Sequence, residues 1–241
     1  MIPVVAALRN AFAAHADAAL AGPMQAYMKS ALPFHGIPAP LRRRLQAQAV
    51  REHPCASAAE LAQAMRLLLR EAVAREEWYA AAELARTGVH RRWLTIDLLP
   101  EFEALVARTA WWDVCDEVSG QSLPALLQQS PEPMKRTLRR WARGDDLWLR
   151  RAAMLAQRRL RSGFDAALLY DCLEPSLDDP RFAGEFFIRK GMGWALRERS
   201  YAAPAEVVAW CRRHADRLSP LTRREAMKAL KRRGAGVDPD A

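Results

Sequence analysis

Only four cysteines, Cys55, Cys115, Cys172 and Cys211, occur in 241 residues, and they are widely separated. That scarcity excludes paired metal knuckles, an iron–sulfur run and a disulfide framework, and isolated thiols fit a reducing compartment. Glycine is also sparse, at 11 residues. No P-loop, dinucleotide-binding glycine pattern, HExxH or G-x-S-x-G element is present, so neither a cofactor nor a metal is expected. No apolar run approaches the roughly 18 residues that a membrane span needs. Near the start, Arg9, His15 and Asp17 interrupt any signal-peptide core. A soluble, cytoplasmic protein without a membrane partner is expected.

What the chain does have is apolar mass and positive charge. Hydrophobic residues make up 51% of it, enough for a sizeable core, and one domain over 1–241 is expected. The formal charge is +9. Lys135 to Arg161 alone carries a net +8 and Arg189 to Arg233 a net +9, so the remaining residues are net acidic. Positive charge concentrated in the second half resembles an electrostatic footprint for a polyanion. By itself it leaves DNA, RNA and anionic lipid open. Arginine exceeds lysine in both segments, and its planar fork suits phosphate oxygens.

The apolar residues recur with helical period and β-branched residues are few, which predicts an all-α chain. Helices are expected at 2–19, 23–32, 40–53, 57–73, 76–87, 94–108, 112–129, 132–143, 146–161, 164–173, 181–200, 203–215 and 220–233. Ser57 followed by Glu60 has the form of a capping box, and Pro40, Pro131, Pro204 and Pro220 stand at or near helix starts. About two helices per 35–45 residues suggest stacked antiparallel pairs, as in a solenoid. A compact orthogonal bundle is the alternative.

Two local patterns point to chemistry. Trp112 and Asp116 are four apart on one predicted helix and so share a face. A core tryptophan beside a surface acid has the same spacing, but adjacent Trp111 and Trp112 cannot both enter one core. On the helix near 181–200, Phe187, Lys190, Trp194 and Arg197 fall on one stripe that mixes rings with cations, as a surface meeting sugars and phosphates requires. Arg150 and Arg151 point about 100° apart. Both could instead be solvated residues balancing Asp145 and Asp146. His35, His53, His90 and His214 are scattered and receive no role. Arg42, Arg43 and Arg44, with Arg223, Arg224, Lys228, Lys231 and Arg232, are expected to contact phosphate or stay solvated.

An ordered series of segments carries a resemblance. It runs through Pro23-Met24-Gln25-Ala26-Tyr27-Met28-Lys29, Phe34-His35-Gly36-Ile37, Trp111-Trp112-Asp113-Val114-Cys115-Asp116 and Leu147-Trp148-Leu149-Arg150-Arg151-Ala152-Ala153. It continues through Phe186-Phe187-Ile188-Arg189-Lys190, Gly193-Trp194-Ala195-Leu196-Arg197-Glu198 and Leu218-Ser219-Pro220-Leu221-Thr222-Arg223-Arg224-Glu225-Ala226. Together these resemble the bacterial DNA alkylation repair glycosylases of the AlkD type, built from HEAT-like repeats. The resemblance implies a right-handed superhelical solenoid with a concave basic face. It implies a catalytic carboxylate at Asp116, tryptophans against the lesion's sugar and backbone at Trp112 and Trp194, an arginine completing the cleft at Arg151, and Tyr27 near the DNA. The stretch Leu173 to Arg181 is longer than the family's connection.

The implied reaction is hydrolysis of the N-glycosidic bond of a cationic N3- or N7-alkylated purine in duplex DNA, by a monomer, without a deep pocket for a flipped base. The charged base leaves readily, so the enzyme has mainly to stabilise an oxocarbenium sugar and place water. A carboxylate about 4 Å from that charge, at an effective dielectric of about 20, is worth around 4 kcal/mol, or about a thousandfold in rate. This chemistry calls for a lone carboxylate, not one buried in a salt bridge, and for both tryptophans on one side of the molecule. Phe187, Lys190, Arg197, Arg223 and Arg224 are the further DNA-contact candidates. The rivals are a non-catalytic helical-repeat DNA-binding protein and a scaffold for a protein partner.

Overall fold

The computed structural model describes residues 2–160 and 162–232. They are helical throughout, with no strand among the described residues, as the sequence predicts. The chain divides into two compact units, Met1–Thr109 and Ala110–Ala241.

The first unit contains α1 (Pro3–Ala14), α2 (Ala18–Met28), α3 (Ala39–Glu52), α4 (Ala58–Arg70), α5 (Arg75–Leu84) and α6 (Leu99–Thr109), with 3₁₀ turns at Gly88–Trp93 and Ile96–Leu98. The single helix expected at 2–19 is two. The chain breaks at His15, and Asp17 caps α2 by accepting from the Ala19 N–H. A short polar residue that binds the backbone locally favours such an N-cap over a helix interior. Ser57 caps α4 as expected, accepting from the Glu60 N–H at 3.1 Å, while the Glu60 carboxylate returns to the Ala56 N–H rather than to that of Ser57. The Phe34–Ile37 loop is tied down by Glu76, whose buried carboxylate accepts from the N–H groups of His35, Gly36 and Ile37. Gly36 has φ +84°, and a Cβ there would lie 2.1 Å from the Asp17 carbonyl oxygen, so only glycine fits. Leu8, Phe12, Leu61, Met65, Leu68, Phe102 and Leu105 fill the core. Each such side chain contributes roughly 1.5–3 kcal/mol.

The second unit contains α7 (Trp112–Glu117), α8 (Leu123–Gln129), α9 (Pro131–Arg143), α10 (Leu147–Leu155), α11 (Ala166–Leu173), α12 (Phe186–Ser200), α13 (Pro204–Arg213) and α14 (Pro220–Arg232). The helix expected at 112–129 is present but contains a π turn, Val118–Ser122, joining α7 to α8. Such turns widen the helix by one residue and are frequent at functional sites. Helices α10 and α12 start and stop inside the ranges expected for them. The chain from Arg158 to Phe164 and from Arg181 to Glu185 is turn or coil where described. Met154, Leu169, Ile188, Leu196, Val207, Trp210 and Met227 belong to one buried cluster that joins α10 to α14. Helix α14 lies close on α12 because Gly193 has no side chain. A Cβ there would stand 2.6 Å from Glu225 Cβ and 2.8 Å from the Thr222 carbonyl oxygen.

The long stretch after Leu173 is ordered by charge. It forms a 3₁₀ turn at Glu174–Ser176, and Asp178 pairs with Arg217. Asp179 accepts from both Arg150 and Arg181.

Candidate functional site

The site grows from Asp116, one turn after Trp112 on α7. Asp116 is not the lone carboxylate that the sequence reading called for. Arg151 on α10 grips it side-on, Nε to Oδ1 at 2.8 Å and Nη2 to Oδ2 at 2.9 Å. The same guanidinium donates from Nη1 to the Phe187 carbonyl at 2.6 Å, tying α10 to α12. Gly191 leaves room for it, since a Cβ there would lie 3.0 Å from Nη1. The Arg151 side chain is 4% exposed and that of Asp116 14%. The pair is therefore nearly sealed on the arginine side and only slightly exposed on the carboxylate side. Two lone pairs of the carboxylate are used by Arg151, and the others remain to meet water or substrate.

Arg150 and Arg151 are both buried, which overturns the solvated alternative. They diverge as adjacent helical residues must. Arg150 bonds the Gly144 carbonyl and Asp179 and lies 4.0 Å from the centre of the Phe182 ring. Its work is structural. Asp146, one of the acids set against these arginines, caps α10 by accepting from the N–H groups of Trp148 and Leu149.

Trp194 lies at the margin of the α12 core, partly exposed. Its Nε1 donates to Glu198 at 3.0 Å, and the Arg158 guanidinium sits 4.2 Å from the centre of its ring. Arg158 in turn donates from Nη2 to the Asp116 backbone carbonyl at 2.9 Å. Trp194 is thus linked through Arg158 to the Asp116 end of α7, and Trp112, one turn earlier at the start of that helix, is partly exposed. Trp111 turns elsewhere. It packs with Trp148 and Phe187 at ring separations of 5.9 and 5.3 Å, and Phe186, more than half exposed, lies edge-on to Phe187. Phe187 is therefore mainly a packing residue behind Arg151.

The rest of the stripe is real but its cations are engaged. Lys190 Nζ and Arg197 Nη1 bond the two oxygens of Glu225 on α14 at 2.7 and 2.6 Å, and Lys228 Nζ lies 3.4 Å from the first oxygen. Burial pushes the Glu225 carboxyl up, but the Lys190 hydrogen bond and the charges of Lys190 and Lys228 outweigh it, and the net shift is downward. One carboxylate holding three cations leaves a net positive cluster. Arg223 donates to the Ala215 carbonyl and Arg224 is exposed on α14. The Lys231 and Arg232 side chains lie outside the described residues.

In the first unit Tyr27 is 75% exposed on α2. Arg42, expected at phosphate or in solvent, is instead buried in a two-pronged bond to Glu83 and lies 5.0 Å from the Tyr79 ring centre. Its charge is consumed inside the fold. Arg43 shares that carboxylate from the surface, and Arg44 is exposed.

Sequence reasoning missed Arg158, Glu198 and Glu225. Arg158 was legible as the residue seven after Arg151, two turns along the same face. Glu225 was legible as an acid inside a strongly basic segment. Among the described residues no helix is long and apolar enough to cross a membrane.

Residues 8–230 match the model of the family described as DNA alkylation repair enzyme. Among solved structures the chain is similar to one titled a predicted DNA alkylation repair enzyme from Enterococcus faecalis, with 29% identity and a TM-score of 0.78 over 89% of this chain and 96% of that one. No curated protein matches. The paired Asp116 and Arg151, Trp194 linked to them through Arg158, and a family match over nearly the whole length lead to one conclusion: the chain belongs to the DNA alkylation repair enzyme family.

Proposed function

We propose that the protein is a DNA glycosylase that hydrolyses the N-glycosidic bond of cationic N3- or N7-alkylated purines in duplex DNA and so starts base excision repair. It acts as a monomer, without metal or cofactor. The observation that carries this reading is the convergence on Asp116. Arg151 fixes its carboxylate in direction, the carboxylate keeps 14% of its side-chain surface exposed, Trp112 precedes it by one turn of α7, and Arg158 links it to Trp194. Asp116 stabilises the electron-poor sugar and orients the attacking water, and the indole faces add attraction for the same positive charge.

Pairing with Arg151 changes the strength of this effect but not its sign. A cation beside the carboxylate offsets part of its field, so the thousandfold expected of an isolated anion becomes an upper limit. In exchange the carboxylate is held still, and a fixed charge costs no reorganisation when the sugar ionises. Alkylation itself supplies selectivity, since a charged base leaves without acid catalysis. The basic helices of the second half, with Lys190, Arg197, Arg223 and Arg224, hold the backbone.

The ion pair is also the observation that most favours the rival, a non-catalytic DNA-binding protein, because a structural salt bridge has the same geometry. Incubating the purified chain with methylated duplex DNA separates the two. Release of free 7-methylguanine or 3-methyladenine, with abasic sites left behind, is the expected result. Tight binding with no base released would establish the rival, and no binding to DNA would overturn both.

A further inference from the structure

Arg158 has no place in the roles assigned so far, yet it joins Asp116 to Trp194. It follows the end of α10 in a turn, and its guanidinium reaches back to α7 and across to α12. Nη2 donates to the Asp116 carbonyl at 2.9 Å, and the planar group lies 4.2 Å from the centre of the Trp194 ring. The space it occupies comes from the π turn. A Cβ on Gly120, within that turn, would stand 2.2 Å from Nη2 and 2.9 Å from Cζ. Any residue but glycine there would displace the arginine.

Two features set this contact apart from an ordinary surface stack. The Arg158 Nε is buried and has no hydrogen-bond partner among the described residues. Burying a guanidinium with a donor unsatisfied is costly, and burial depresses its pKa against the pull of Asp116. A contact that costs this much persists when the position of the group matters. Second, the Nε1 bond to Glu198 fixes one edge of the Trp194 ring, and packing at the margin of the core holds it from one side. A cation 4.2 Å from the ring centre adds a restraint on that plane.

We propose that Arg158 is a positioning residue that sets the tilt of the Trp194 indole relative to Asp116, and so the way the ring meets the deoxyribose. This deepens the glycosylase reading and rests on it. Arg158 touches neither sugar nor base. It acts through Trp194, and the π turn with Gly120 exists to admit it.

The test is a cycle of variants: Arg158→Met, Trp194→Phe and the two combined, each assayed for single-turnover base release and for affinity to the same methylated duplex. Arg158→Met lowers the release rate by about 10- to 100-fold, as a misplacement near 1 Å does, while affinity stays within about threefold, since one cation among many is lost. In the Trp194→Phe background the same change costs less than about threefold, because the indole through which it acts, with its Nε1 bond to Glu198, is gone. Full multiplication of the two losses would overturn the proposal, as would an unchanged rate in Arg158→Met. Gly120→Ala, which displaces the guanidinium without removing its charge, reproduces the loss and guards against a misfolded Arg158→Met.

A second arm does not depend on turnover. With 5-fluorotryptophan incorporated, the Trp194 fluorine resonance, assigned by its disappearance in Trp194→Phe, shifts in both Arg158→Met and Gly120→Ala. If the wild-type chain releases no base, the glycosylase reading fails while this arm still decides the role of Arg158. A Trp194 resonance unmoved in both variants overturns it.

Discussion

Arg151 holds Asp116 by two parallel bonds of 2.8 and 2.9 Å and spends its third nitrogen on the Phe187 carbonyl. One guanidinium thereby aims the only carboxylate of the Trp-Trp-Asp segment that it touches and locks the helix bearing Trp194. On the proposed reading chemistry and fold share that arginine, and the two can be separated by experiment.

Asp116→Asn keeps the shape of the side chain and removes its charge. Release of 7-methylguanine falls by up to about a thousandfold, while affinity for the methylated duplex is retained. Wild-type release rates in a folded Asp116→Asn variant would show that the carboxylate takes no part.

Arg151→Ala leaves Asp116 without its partner and the Phe187 carbonyl without its donor. Breaking a buried pair from one side costs about 3–5 kcal/mol. Chemical denaturation should show a loss of that size, together with loss of base release. Arg224→Ala, at an exposed position on α14, should leave stability within about 0.5 kcal/mol.

Binding to DNA weakens steeply with salt, because each neutralised phosphate releases counterions. Six contacts or more lose about a thousandfold between 50 and 200 mM salt. Arg224→Ala lowers the slope of log affinity against log salt by about one. Titrations followed by fluorescence anisotropy at four salt concentrations measure both, and a flat response contradicts a phosphate-gripping face.

His90 makes stability depend on pH near neutrality. Its Nε2 accepts from the Cys55 N–H at 2.9 Å, which requires that nitrogen to be unprotonated, and Nδ1 faces the Leu84 carbonyl at 3.3 Å. Burial, first, and the charge of Arg92 lower its pKa below the ordinary 6.5. The unfolded state therefore binds the proton more readily. The stabilisation is complete above pH 6.5 and declines as pH falls toward the folded-state pKa. Unfolding free energies at pH 7.5 and 5.5 should differ in this direction, and His90→Gln should shrink the difference. His214, lowered by burial and by Arg217, accounts for part of what remains.

Gly193→Ala forces α14 from α12, since the new methyl would stand 2.6 Å from Glu225 Cβ and 2.8 Å from a backbone oxygen. Overpacking of this kind costs about 1–3 kcal/mol. Urea unfolding measures it. Because Glu225 gathers Lys190, Arg197 and Lys228, the same variant also weakens DNA binding.

The amino-acid sequence by itself determined the all-helical class and most helix starts, though not the break at His15 or the π turn at Val118–Ser122. Period, capping residues and prolines act within one or two turns, so Ser57, Pro131, Pro204 and Pro220 mark helix starts without reference to the rest of the chain. The ordered motifs likewise named Asp116, Trp112, Trp194 and Arg151. What only tertiary structure decided is which charges are spent inside the fold. Arg42 and Arg151 look alike in sequence, each in a run of arginines, yet Glu83 consumes the first and Asp116 the second, across 41 and 35 residues of chain. Glu225 and Arg158 carry only a weak local signature, an acid in a basic segment and a position seven after Arg151, and neither names its partner, because their contacts depend on helices that meet only after packing. An ion pair or a cation over a ring is a long-range contact, and side-chain reach across the core, not spacing along the chain, selects its partner.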